Sequence, residues 1–251
     1  MGFDGMPATH FALCSRRIVT PNGVRDGAVV VAGHKIEALV DADQVPGDIP
    51  RTEFGDLAIS PGIVDSHVHV NEPGRTEWEG FKTATQAAAA GGVTTLIDMP
   101  LNSTPVTTTI EALAQKQSSA ADKCWVDVAF YGGLVPGNAA HLESLIDAGV
   151  CGIKCFLCDT GLDDFQPVDR HILERAMPIL ARRNVPLLVH AELINEHGRA
   201  PHDLYSYTDW LASRPEKYEC DAAELLGKLS VSHAAHVHIV HITNFETARL
   251  L

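Results

Sequence analysis

A chain of 251 residues, 45% hydrophobic and 20% charged, has an ordinary globular composition and the length of one large domain or two modest ones. No stretch approaches the ~18 uninterrupted apolar residues of a membrane span. The formal charge of −13, from 32 acidic against 19 basic residues, argues against a nucleic-acid partner, because an acidic surface repels phosphates.

Residues 1–17 lack the basic lead, apolar core and small-residue cleavage site of a secretory signal. Met6 stands where a myristoylation signal beginning at Gly2 needs Ser or Thr. The expected location is therefore the cytoplasm or an intracellular organelle rather than the outside. Up to about residue 59 the pattern is of short strands, at 11–19, 28–32, 35–40 and 52–58. Turns at Pro21-Asn-Gly23, Asp26-Gly27 and Pro46-Gly-Asp48 separate them. Such a β unit is too short to close a good core alone and is expected to pair with something else.

From Ser60-Pro-Gly62 onward strands alternate with helices. The strands are expected at 62–70, 93–99, 125–132, 152–157, 186–191 and 236–243, the helices at 77–90, 109–121, 139–148, 169–183 and 204–232. This alternation predicts an α/β fold with a parallel sheet, doubly wound or closed into a barrel. No G-x-G-x-x-G or G-x-x-x-x-G-K follows any strand, so a nucleotide-binding sheet loses ground. A (β/α)₈ barrel needs eight strands and six are counted here, with the chain stopping one turn into the next helix.

Histidine placement carries the chemistry. The first strand of the alternating region ends Asp65-Ser-His67-Val-His69, and residues two apart on a strand face the same side. Two imidazoles there can supply adjacent nitrogen ligands to one divalent metal. By itself H-x-H is a weak signal, and two histidines that bind nothing are the first reading of it. His190 ends the strand Pro186-Leu-Leu-Val-His190, on the rim where barrels place their active sites. In His236-Val-His-Ile-Val-His241, alternation sets His236 and His238 on one face and His241 on the other. The inward face is left open, and the position at the strand's end favours His241.

Lys154 lies in the otherwise apolar Gly152-Ile-Lys-Cys-Phe-Leu157. A buried lysine is costly unless paired, neutral or modified. Either its ammonium snorkels to the rim, or its neutral amine captures carbon dioxide and the carbamate bridges two metals. Cys151, Cys155 and Cys158 cluster, and Cys155-Phe-Leu-Cys158 is formally a C-x-x-C. With no second pair and apolar surroundings, buried reduced thiols are expected, which suits a reducing compartment.

His67, His69, Lys154, His190 and His241, from four strand ends, resemble the ligand set of the cyclic amidohydrolases: dihydroorotases, hydantoinases and dihydropyrimidinases, and allantoinases. Within them, the segment His67-Val-His-Val-Asn-Glu-Pro-Gly-Arg-Thr-Glu-Trp-Glu-Gly-Phe81 looks like the allantoinase branch, as do Asp98-Met-Pro-Leu-Asn-Ser103 and Ser213-Arg-Pro-Glu-Lys-Tyr-Glu219. Dihydroorotases tend to carry an arginine where Asn71 stands.

The resemblance implies a TIM-type (β/α)₈ barrel, incomplete here after its sixth strand (residues 60–251), and a partial β-sandwich at residues 1–59. It implies two divalent ions, zinc suiting the ligands and manganese, cobalt or iron also fitting, with a carbamate on Lys154. The implied reaction is ring opening of a cyclic amide, allantoin to allantoate in purine catabolism, and a homo-oligomer is compatible with it. Asn102 is either near the substrate or a turn residue before Pro105. Asp65 and Glu192 are candidates for orienting the imidazoles. The family's proton-shuttling aspartate, after an eighth strand, has no counterpart within the sequence. The chain alone is therefore expected to be poorly soluble and inactive on allantoin. The rival readings are a dihydroorotase- or dihydropyrimidinase-type hydrolase, a mononuclear deaminase and a non-catalytic module.

Overall fold

Eleven residues in which buried and exposed positions largely alternate make β1 (His10–Thr20) the hub of an N-terminal sheet. A computed structural model describes residues 10–194 and 203–251; the acylation reading at Gly2 and Met6 lies outside the described residues. Contacts divide the chain into Met1–Gly62 and Ile63–Leu251.

In the first unit β1 pairs antiparallel with β2 (Gly23–Ala32), which pairs antiparallel with β3 (Lys35–Val40). Two short strands, β4 (Arg51–Glu53) and β5 (Ala58–Ile59), lie parallel to β1. The expected strand at 52–58 is thus two pieces, because the Phe54-Gly55-Asp56-Leu57 segment turns, with Gly55 at φ +59. One face buries Ala12, Cys14, Ala28 and Val30 with Val45 and Ile49. Of the apolar residues between these positions, Val19, Val24, Ile36 and Leu39 remain exposed.

The second unit has parallel strands at all six expected places. They are β6 (Ile63–Val68), β7 (Val93–Asp98), β8 (Asp127–Phe130) continuing after Tyr131 as β9 (Gly132–Gly133), β10 (Ile153–Phe156), β11 (Leu187–His190) and β12 (Val237–Ile239). The third strand hands pairing from one neighbour to the next at Tyr131. Its first part ladders with β7 and its second with β10, and Tyr131 N–H still donates to Asp98 O while Gly132 N–H donates to Gly152 O. Gly133 is required there, since a Cβ would stand 2.5 Å from Phe165 Cε2.

Helices cross between the strands, as parallel pairing demands. They are α1 (Phe81–Ala90), α2 (Ile110–Ala120), α3 (Leu142–Asp147), α4 (Arg170–Arg183), α5 (Tyr207–Ser213), α6 (Lys217–His233) and α7 (Phe245–Leu250). Thr109 and Asp169 cap α2 and α4, accepting from Ala112 N–H and Ile172 N–H. The helix expected over 77–90 starts later, at Phe81, because residues 71–79 form hydrogen-bonded turns. The helix expected over 204–232 is broken into α5 and α6. Pro215 has no N–H and bars Arg214 from helical geometry, leaving it at φ −129, ψ 71.

Alternation along the strands separates two apolar layers. Ile153, Cys155, Leu187 and Val189 face the helices with Leu173, Met177, Leu180 and Leu226. On the other side Leu188 and Phe156 meet Met99, Leu101, Tyr131 and Phe165. Lys154 is in register with Leu188, and Leu188 with His238, so all three belong to that second, inner face. Among the described residues, no helix is long and apolar enough to cross a membrane.

Candidate metal centre

The rings of four histidines meet beyond the strand ends. His67, at the end of β6, has its ring centroid 5.4 Å from that of His69 and 6.2 Å from that of His241. His241 in turn lies 4.7 Å from His190, which ends β11. Phe156 stacks on His190 at 4.7 Å, and Lys154 Nζ stands 4.7 Å from the Phe156 ring centroid. The five sequence-derived positions therefore come together. Period-two alternation holds only to Ile239, where β12 ends; His238 stays on the inner face beside Leu188, and the chain past Ile239 brings His241 to His190.

The electrostatics favour lone pairs over protons. Burial, with His67 next to it, draws the His69 pKa down to about 4. Burial also lowers His67 and His241, helped by Lys154 and His190 respectively. Lys154 is 1% exposed, and burial pulls it from 10.5 to about 8. Its electrostatic neighbours are the thiols of Cys155 and Cys158, not a carboxylate. An ammonium snorkelling to water does not describe it. Neutral imidazoles and an amine about one-tenth unprotonated at pH 7 are the donor chemistry that divalent ions and a lysine carbamate require. The residues fit the group.

Glu192 supports His190. Its Oε2 is 3.3 Å from His190 Nε2, and Arg214 Nη1 donates to both carboxylate oxygens at 2.7 and 2.6 Å. The His190 hydrogen bond, then Arg214, hold the carboxyl down at about 2. With Glu192 ionised, the imidazole donates from Nε2 and keeps Nδ1 as its acceptor. Cys158, His190 and Glu192 also bring three possible ligand atoms within 4.8 Å of one another. Arg214 already occupies the carboxylate, and burial pushes the Cys158 thiol up to about 11, so this trio reads as support for His190. Asp65 does not touch an imidazole by hydrogen bond: it accepts the backbone N–H of His67.

Asn102 sits at φ 72, as a turn residue does, and its Nδ2 lies 3.4 Å from His69 Nδ1. The segment after His69 is a scaffold: Glu72 accepts from Phe81 N–H at the start of α1 and pairs with Lys123, and Gly74 leaves no room for a Cβ against Thr104. Beside His190 and His241 opens a cleft of about 360 Å³, walled by Tyr207, Arg214, Glu219 and Asn244 among others. All six cysteines are free; within the 151–158 cluster Cys155 and Cys158 are buried as expected, and Cys151 is exposed. Cys151 is just ahead of β10 rather than within it.

Sequence reasoning missed Asp98 and Lys116, a buried ion pair behind His69 with Nζ 2.5 Å from Oδ2. A signal existed. Lys116 falls on the same α2 stripe as Ala112, Leu113 and Ala120, where a charged residue is out of place.

A model of the amidohydrolase family matches residues 58–251, and one of the allantoinase composite domain matches residues 6–56. The chain is 46% identical over 248 residues to an allantoinase of Streptomyces avermitilis, covering 98% of this chain and 56% of that protein. It is 42% identical over 258 residues to an allantoinase of Arabidopsis thaliana, covering 95% and 51%. The chain spans about half the length of the curated relatives it matches. Among solved structures, an L-hydantoinase (dihydropyrimidinase) from Arthrobacter aurescens superposes with a TM-score of 0.85 at 26% identity, covering 96% of this chain and 54% of that one. A dihydropyrimidinase from Brevibacillus agri, at TM-score 0.79 and 21% identity, shares the fold. The α/β barrel class expected from the sequence is thereby borne out, and the family's members are generally metal-dependent. By its fold and by a family match that covers most of its residues, the chain belongs to the amidohydrolase family.

Proposed function

We propose that His67, His69, Lys154, His190 and His241 hold two divalent ions, zinc by preference, in a site that opens a cyclic amide, with allantoin the substrate and allantoate the product. The observation that carries the reading is the convergence of four imidazoles on one buried lysine whose proton affinity is depressed. The similarity to allantoinases over nearly the whole chain supports the choice of substrate. Residues 1–59 are read as part of a composite β domain and residues from 60 as the metal-dependent barrel. The separate family matches and the division of contacts after Gly62 support that reading.

His67 and His69 would hold one ion, His190 and His241 the other. Lys154 would join them as a carbamate, formed when its neutral amine adds carbon dioxide and releases a proton. When bound, such ions lower the pKa of water to about 7 and polarise a carbonyl. Glu192 keeps His190 in one tautomer and orientation. The amide of Asn102, beside His69, and the polar groups that Arg214, Glu219 and Asn244 bring to the cleft beside His190 and His241 offer hydrogen bonds to a ring rich in N–H and C=O groups.

Metal analysis and turnover test this together. Close to two ions per chain are expected, and turnover of allantoin is expected where a segment carrying the family's proton-shuttling aspartate is present. One ion would favour a deaminase-like site, and none a module without catalysis. A second reading, a hydantoin or dihydropyrimidine substrate, follows from the L-hydantoinase likeness. Turnover of those rings with none of allantoin would establish it.

A further inference from the structure

We infer that Asp98 and Lys116 form a positioning pair that sets the place of His69. The strand carrying the H-x-H motif ends at Val68, so Val70 has left the ladder, yet Val70 is fully buried. Its N–H and C=O have no water to turn to and need partners inside the protein. Both are met by this one pair: Asp98 Oδ1 accepts from Val70 N–H at 2.7 Å, and Lys116 Nζ donates to Val70 O at 3.2 Å. Lys116 also donates to Ser103 Oγ at 3.0 Å. Ser103 follows Asn102, whose amide reaches His69 Nδ1. The two segments that meet at the His69 imidazole are thus held from behind by the same two side chains.

Stability alone is a poor reason for the arrangement. Both groups are 1% exposed, and apolar replacements for a buried ion pair are often as stable or more so. What apolar residues cannot do is hold Val70 by both backbone groups and Ser103 by its hydroxyl in one geometry. The pair acts on the site through Val70 and Ser103 and touches no reacting group.

This inference rests on the reading of His69 as a metal ligand, and the test keeps the two apart. Zinc affinity of the metal-free chain is measured by competition with a chromophoric chelator, alongside the melting temperature. His69→Ala should weaken zinc binding at one of the two sites; if it weakens neither, the metal-site reading itself fails. Asp98→Asn/Lys116→Met keeps an acceptor for Val70 N–H, buries no lone charge and should bind zinc ten- to a hundred-fold more weakly. Leu180→Ala, in the helix–sheet core, supplies a control with at least the same loss of melting temperature and should bind within three-fold of the parent. If the double variant binds as tightly as the parent while His69→Ala does not, the positioning role is wrong. Equal loss in Leu180→Ala would likewise reduce the pair to a folding element. Should the double variant not fold, Ser103→Ala decides: a three- to ten-fold weakening is expected, and unchanged affinity overturns the inference.

Discussion

Phe156 and His190 stand in register on β10 and β11, and their rings stack with centroids 4.7 Å apart. Lys154 Nζ stands 4.7 Å from the centroid of the same Phe156 ring. Register therefore places a lysine and a histidine from neighbouring strands against one aromatic side chain, at the end of the sheet where the chemistry gathers.

Lys154 predicts a pH dependence. Its folded pKa of about 8 lies below the ordinary 10.5, so between these values the unfolded chain binds more protons and stability rises with pH. The depression corresponds to about 3 kcal/mol held against the protonated form below pH 8. In metal-free protein without bicarbonate, Lys154→Met should be more stable than the parent at pH 7 and should lack the rise between pH 8 and 10.5. Urea unfolding across that range measures it; a parent curve flat from pH 8 to 10.5 would contradict the lysine's environment.

The same residue predicts a bicarbonate effect. Zinc loading of the parent should tighten when bicarbonate is added, as carbamylation supplies bridging oxygens, while Lys154→Met should not respond. A chelator competition with and without bicarbonate reads this directly, and an identical response in both proteins would remove the carbamate.

Glu192 holds His190 and is held by Arg214. Glu192→Gln should weaken zinc binding roughly ten-fold. Because the folded pKa is lowered from 4.5 to about 2, its stabilising contribution is complete above the unfolded value and is lost as pH falls toward 2. The variant should flatten the acid limb of the stability curve between those pH values, as followed by circular dichroism.

Asn102 allows backbone and side chain to be separated. At φ 72, Asn102→Gly keeps the conformation, whereas Asn102→Ala carries a left-handed penalty of roughly 1–2 kcal/mol. Both lose the amide beside His69. The melting temperature should fall for Ala only, and the Kd for allantoin should rise in both. An unchanged Kd in the glycine variant would leave Asn102 as a turn residue.

Gly133→Ala would put a Cβ 2.5 Å from the buried Phe165 ring and 2.9 Å from Thr108 Cγ2. The ring is enclosed and cannot swing away, so a loss of about 1–3 kcal/mol is expected on urea unfolding. A neutral substitution would mean that the inner layer is looser than it looks.

The order of strands and helices, the six strand positions and the set of His67, His69, Lys154, His190 and His241 were legible in the sequence. Local pattern determines them: period two in strands, caps such as Thr109 and Asp169, and polar residues breaking apolar runs. The break at Pro215 was legible too, and the long helical pattern around it hid it. Which face His241 joins was not, because β12 ends at Ile239 and the alternation rule ends with it. Nor was the partnership of Asp98 with Lys116, or of Glu192 with His190 and Arg214. Each joins residues on separate elements, and only the packing of those elements fixes their distance. Burial, the property that turns Lys154 from an ordinary cation into an amine poised near neutrality, is likewise decided by the assembled layers around it.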